Sequence, residues 1–206
     1  MTKLDIILSS ISGTIPQSTL KLSKLKTLSL RYSSLTGTIP SSLGTLTEKL
    51  RLFMNQLSGT IRSLFANLTQ PEDFSLFGDQ LSGTIPSFLG SFINLGHLGL
   101  GQNKLTGTIP STLSSLSAIY ELHLYGNQLT GTVPLLNQSS LFNVYLSTNY
   151  LTIGSLTEVP LSTFSALSLK RDDIYVQENC LKFRSSYRYY NNVDVDATRC
   201  TSAQTD

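Results

Sequence analysis

Residues 122–134 read LHLYGNQLTGTVP, which is Leu122-x-Leu124-x-x-Asn127-x-Leu129-x-Gly131 running into Pro134. The same spacing recurs at Leu98, Leu100, Asn103, Leu105 and Gly107, and at Leu50, Leu52, Asn55, Leu57 and Gly59. Weaker copies are Leu4/Ile6/Ser9/Ile11, Leu28/Leu30/Ser33/Leu35, Phe74/Leu76/Asp79/Leu81 and Val144/Leu146/Asn149/Leu151, with a degenerate eighth at Leu167/Leu169/Asp172/Ile174. Gly-Thr-Ile-Pro or a close variant begins at Gly13, Gly37, Gly59, Gly83, Gly107 and Gly131, at intervals of 24, 22, 24, 24 and 24 residues. A fixed period of this size marks a solenoid, because one unit cannot bury its own apolar face and must lean on its neighbours.

Each position has a physical job. Leu-x-Leu alternates with period two, so the leucines point inward and the residues between them face out. The Asn turns the chain inward, and its amide can bond backbone groups of neighbouring coils, giving a ladder of Asn55, Asn103, Asn127 and Asn149. Ser9, Ser33 and Asp79 offer fewer such bonds, so their coils should be held less firmly. The prolines that follow the second strand lack an N–H and end its pairing. The third coil is two residues short between Leu46 and Leu50, and Pro71 stands where an apolar residue is expected, so looser packing is expected there.

At these residues the chain resembles the leucine-rich-repeat family, in its 24-residue plant extracellular class with Leu-x-Gly-x-Ile-Pro. The resemblance covers residues 3–151 and reaches weakly to 174. It implies an α/β solenoid: a right-handed superhelix with a concave parallel β-sheet, a second short strand in each coil and short 3-10 or helical convex turns. The division it implies is a solenoid of about seven coils over 1–151, lacking an N-terminal cap, and a degenerate last coil with a C-terminal cap over 152–206. Such caps cover the apolar end of a stack. Cys180 and Cys200, the only cysteines, flank a 19-residue segment and read as one disulfide closing that cap; two unpaired thiols in a reducing compartment are the alternative. A disulfide and the repeat class both place the chain outside the cytosol, extracellular or at the cell surface.

Composition narrows the function. Hydrophobic residues make up 40%, enough for a core, while the charged fraction is only 14% and the net charge +2, so no basic surface for nucleic acid is indicated. The basic and aromatic run at 182–190 lies inside the Cys180–Cys200 interval and reads as cap packing. No apolar run approaches the roughly 20 residues of a membrane span. No secretory leader precedes the first repeat, so the sequence reads as a fragment of a longer protein. Sequons at Asn67 and Asn137 offer N-glycosylation sites on the convex or loop side.

Two surfaces could recognise something. Between the paired leucines the outward residues are Asp5, Ser29, Arg51, Ser75, Gly99, His123 and Tyr145. Two residues on they are Ile7, Arg31, Phe53, Phe77, Gly101, Tyr125 and Ser147. Exposed Phe53 and Phe77 with Arg31, Arg51 and Tyr32 have the aromatic-plus-Arg composition of interface hot spots, and His123, Tyr125 and Tyr145 make a second cluster. Ordinary strand decoration is the competing explanation. His97 and Glu121 fall at one repeat position, about 4.8 Å apart on neighbouring strands, with His123 two residues beyond Glu121. That trio could hold a metal or do acid–base chemistry, but the sequence supplies no pocket, nucleophile or third anchored ligand, so no metal, cofactor or enzymatic activity is expected. The Gly-rich string at 96–101 follows from the repeat and is not a nucleotide loop. On the second strand, Ser12, Thr36, Ser58, Ser82, Thr106 and Thr130 form one outward ladder, and Thr14, Thr38, Thr60, Thr84, Thr108 and Thr132 another. Such Thr-x-Thr arrays resemble those of ice-binding solenoids, though Thr also simply suits a solvent-facing strand.

The expected function is therefore a non-catalytic module that recognises protein, peptide or glycan on its concave face. The alternatives are homotypic assembly through the uncapped N-terminal end or sideways, and ice binding through the threonines.

Overall fold

The computed structural model describes residues 2–7, 10–16, 24–45, 48–68, 71–136, 138–141 and 143–152. The cysteine pair, the degenerate eighth repeat, the 182–190 run, Ser9 and Asn137 lie outside the described residues.

Leu-x-Leu builds the first sheet as the period-two pattern requires. Its strands are β1 (Lys3–Ile7), β3 (Thr27–Arg31), β5 (Lys49–Arg51), β7 (Asp73–Ser75), β9 (His97–Gly99), β11 (Glu121–His123) and β13 (Asn143–Tyr145), all parallel and stacked in chain order. Leu28, Leu50, Phe74, Leu98, Leu122 and Val144 are successive strand partners, so the inward side chains form one continuous column. The Gly-Thr-Ile segments and their variants, with Tyr150-Leu151-Thr152 in the last described coil, give a second parallel sheet: β2 (Ser12–Thr14), β4 (Ser34–Thr38), β6 (Gln56–Thr60), β8 (Gln80–Thr84), β10 (Lys104–Thr108), β12 (Gln128–Thr132) and β14 (Tyr150–Thr152). The glycine in this segment has φ from 75° to 97°, a left-handed conformation that a side chain disfavours.

The opposite side is closed by five-residue 3-10 turns, Ser41–Thr45, Ser63–Asn67, Ser87–Ser91 and Ser111–Ser115. The proline before a turn uses its carbonyl, which accepts from the N–H three residues on: Leu43 to Pro40, Leu89 to Pro86 and Leu113 to Pro110. Arg62 fills this place in the third coil, with extended φ of −82°, which is why Gly-Thr-Ile-Arg is tolerated there. Between the layers lies a core of aliphatics and Phe65, Phe74 and Phe92, with Leu50, Leu52, Leu57, Phe74 and Leu76 fully buried. The looser packing expected around the short third coil is therefore not found at those positions, and Pro71 itself is buried. The missing residues fall in the convex connection, which leaves the strands aligned.

The Asn ladder ties coil to coil. Asn103 Nδ2 donates to the carbonyls of Leu76, Leu100 and Gly101, and its Oδ1 accepts from Leu81 N–H at 2.9 Å. Asn55, Asn127 and Asn149 repeat this set, and all four are buried. Asp79 accepts from Leu57 N–H at 2.9 Å, but its buried Oδ2 has no partner. Just before the ladder position the chain turns left-handed, at Tyr32, Met54, Gly78, Gln102, Gly126 and Thr148.

Candidate functional site

The outward face of the first sheet carries two bands, one polar and one aromatic. On the entry side of the strands, a groove of about 730 Å³ is lined by Lys26, Glu48, Lys49, Arg51, Glu72, Asp73 and Tyr120, among others. Its charges largely pair across coils, Lys26 with Glu48 at 3.0 Å and Lys49 with Glu72 at 3.6 Å. Exposed pairs of this kind contribute little to stability. They leave both signs of charge along one wall.

Arg51 is tied down more firmly. Its Nε donates to Asp73 Oδ2 at 2.9 Å and its Nη2 to the same oxygen. The other Asp73 oxygen faces His97 Nδ1 at 3.3 Å. Burial would raise the Asp73 pKa, but hydrogen bonds from His97 and Arg51 outweigh it and hold the carboxyl below the usual carboxylate range. Next along the sheet, Glu121 is the strand partner of His97. Its Oε1 lies 3.0 Å from His123 Nε2 and 3.5 Å from Asn143 Nδ2. Burial lowers the His123 pKa despite that carboxylate, so the ring tends to neutrality.

On the exit side, rings line up. Tyr32 meets Phe53 edge-on at 5.5 Å, with the Arg31 guanidinium 5.6 Å from the Phe53 centroid and held from the other side by Asp5 at 3.2 Å. Phe77 pairs with Tyr125 at 5.6 Å, two coils on. Gly101 makes this possible, since a Cβ there would sit 3.1 Å from the Tyr125 ring. Tyr125 continues to Tyr145 at 6.4 Å, and Tyr145 stands edge-on to His123 at 4.5 Å.

The sequence grouped Phe53 with Phe77 as exposed neighbours. Both are half-buried, and Phe77 joins the tyrosine cluster instead. The glycines of the intervening coil let the ring lean forward. Asp73, Lys49 and the groove were missed, although Lys49, Asp73, His97 and Glu121 occupy one repeat position and aligning that column would have found them.

The threonine ladders face outward: Thr14, Thr38, Thr60, Thr84, Thr108 and Thr132 are exposed, as are Thr36, Thr106 and Thr130. In the first ladder the hydroxyls of Thr36, Ser58, Ser82, Thr106 and Thr130 donate to the glycine carbonyl of the preceding coil at 3.2–3.4 Å. In the second, each methyl packs where the next coil's glycine has no side chain; Thr84 Cγ2 is 2.9 Å from the Cβ position of Gly107. Threonine is thus built into coil-to-coil contact. Asn67 is the last residue of the turn Ser63–Asn67.

No curated protein sequence matches this chain. The leucine-rich-repeat family profile matches residues 24–46 and 94–116. Among solved structures, the BIR2 ectodomain from Arabidopsis thaliana is 30% identical, with a TM-score of 0.57, over 65% of this chain and 72% of that one. The chain belongs to the leucine-rich-repeat family. The plant peptide hormone receptor RGFR1, solved in complex with RGF2, is also similar to this leucine-rich-repeat chain, at 30% identity and TM-score 0.59 over 72% of this chain and 28% of that one. A plant ice-binding protein matches at 34% identity and TM-score 0.57 over 60% of this chain and 42% of that one. Longer chains, a TDR receptor and PEPR1 with AtPEP1 among them, match with TM-scores up to 0.70, and this chain spans 21% to 28% of the length of these and RGFR1. Among the described residues no helix is long and apolar enough to cross a membrane.

Proposed function

We propose that this leucine-rich-repeat chain is a non-catalytic recognition module of an extracellular or cell-surface protein. It takes an extended peptide segment or protein loop across the strands of its concave first sheet. The observation that carries the reading is the run of rings from Phe77 through Tyr125 and Tyr145 to His123, set beside a groove holding both charge signs. Half-buried aromatics give large contact area at little further entropy cost, and the groove supplies directional partners for a backbone and its charged side chains. Similarity to a plant peptide hormone receptor supports a peptide as the partner. The test is selection of a displayed random-peptide library on the full chain. Enriched peptides should bind Phe77→Ala and Tyr125→Ala at least tenfold more weakly, while Thr84→Tyr leaves binding unchanged. No enrichment, or loss with Thr84→Tyr alone, overturns the proposal.

A second reading is assembly between copies. The first coil exposes Ile7 and Ile11, and a 210 Å³ apolar hollow there is lined by Leu4, Ile6, Ile11, Leu25 and Leu28. Among the described residues, strands β1 and β2 form the edges of their sheets at this end, and such edges invite pairing. Light scattering across a concentration series decides it: growth in mass supports assembly, a constant monomer removes it.

A further inference from the structure

We propose that the first sheet holds a single-ion site for a transition-metal dication of the zinc class, ligated by His97, His123 and Glu121 and leaving one coordination position open. Register brings the three together: Glu121 is the strand partner of His97, and His123 lies one pleat further along the face of β11. The ligand atoms of all three lie within 4.8 Å of one another. An ion bound at about 2.0–2.1 Å sets tetrahedral ligand atoms about 3.3 Å apart. The widest pair must therefore close by about 1.5 Å, within reach of side-chain rotation. The two imidazoles meet edge-on at 5.2 Å, and all three side chains are accessible at 18% to 28% exposure.

The sequence lacked an anchored ligand, and the fold provides one. Buried Asp73, itself fixed by Arg51, faces His97 Nδ1 at 3.3 Å. A carboxylate there selects the tautomer with the proton on Nδ1 and turns the Nε2 lone pair outward, the outer-shell arrangement that orients a metal-binding histidine. His123 adds a second, independent observation. Its Nε2 stands 3.0 Å from Glu121 Oε1, so two of the three ligand atoms already face each other. A cation between them would be shared by the carboxylate and both imidazoles. Gly99, between Ser75 and His123 on the sheet, keeps the space clear; a Cβ there would lie 3.0 Å from His97 Cε1 and 2.7 Å from Ser75 Oγ. Three protein ligands with one open position would accept water or a carboxylate or imidazole from a bound molecule. The ion site does not depend on the peptide reading.

The test is titration of the tag-free full chain with Co²⁺ under oxidising conditions, followed by visible absorption, with Zn²⁺ competition. One equivalent should bind with d–d bands and no thiolate charge-transfer band. His97→Gln and His123→Gln should each weaken binding at least tenfold while far-UV circular dichroism stays unchanged. Asp73→Asn should weaken it about tenfold and shift the His97 ring-nitrogen resonances in NMR, because the ring loses the carboxylate that fixes its tautomer. Absence of saturable binding, a thiolate band from Cys180 or Cys200, or binding indifferent to His97→Gln and His123→Gln overturns the site. Unchanged affinity and unchanged His97 ring-nitrogen resonances in Asp73→Asn overturn the positioning role given to Asp73.

Discussion

Replacing Asp79 by Asn should stabilise the solenoid at neutral and alkaline pH and leave it nearly unchanged near pH 4. Asp79 stands in the asparagine ladder, buried, with Oδ1 accepting from Leu57 N–H. By repeat equivalence its Oδ2 occupies the place where Asn103 and Asn127 put an amide nitrogen that donates to three carbonyls. A carboxylate oxygen has nothing to donate, and this one is unpartnered. Burial is the main cause that pushes the Asp79 pKa from 3.8 up to about 7, against the lowering effect of the Leu57 and Asn55 amides. A folded-state value above the unfolded one means that the native chain holds the proton more tightly. The stabilisation is complete below about pH 4, is lost as pH rises toward 7, and is flat beyond. Moving the carboxyl from 3.8 to about 7 corresponds to about 4 kcal/mol. Asn carries its own donor and removes this dependence. Because repeat arrays open coil by coil, exchange of the Leu57 amide is the local reporter, with urea unfolding as the global one. At pH 8 the Leu57 amide should exchange up to about a thousandfold more slowly in Asp79→Asn, since each 1.4 kcal/mol is tenfold. At pH 4 the two proteins should agree within about tenfold. Equal behaviour at pH 8, or a less stable Asp79→Asn there, refutes the reasoning.

Two further outcomes follow from the same contacts. Asn127→Ala removes three donated bonds and leaves the Leu105 N–H buried without its Oδ1 acceptor, so urea unfolding should show a loss of about 2–4 kcal/mol; a loss below about 1 kcal/mol would mean that the ladder is not structural. Thr84→Tyr with Thr108→Tyr should leave thermal hysteresis at the level of the unmodified chain, because the threonines serve contacts between coils; hysteresis present in the parent and lost in this variant would establish the ice-binding alternative.

The stack was legible because its information is local. Leu122-x-Leu124 and Asn127 state their orientation within a few residues, and recurrence fixes which coil lies on which. The left-handed turn before the ladder was not, since only Gly78 and Gly126 advertise it while Tyr32, Met54, Gln102 and Thr148 adopt it under constraint from neighbouring coils. The site followed the same division. Tyr125, Tyr145 and His123 were placed together by alignment of repeats, whereas the Asp73–His97 contact and the Phe77–Tyr125 pairing depend on how side chains lean across coils. Asp79 appeared in the sequence as a weak rung; that it needs a proton emerges only from its burial.

The most direct measurement is photo-cross-linking of a selected, tightly bound peptide to the full chain, with the linked residues mapped by mass spectrometry. Links confined to the first sheet, at Phe77, Tyr125, Tyr145 and the groove residues Lys49 and Tyr120, are the expected result. Links to Thr84 and Thr108 on the second sheet, or to the turns Ser87–Ser91 and Ser111–Ser115, would contradict the assignment of recognition to the concave face.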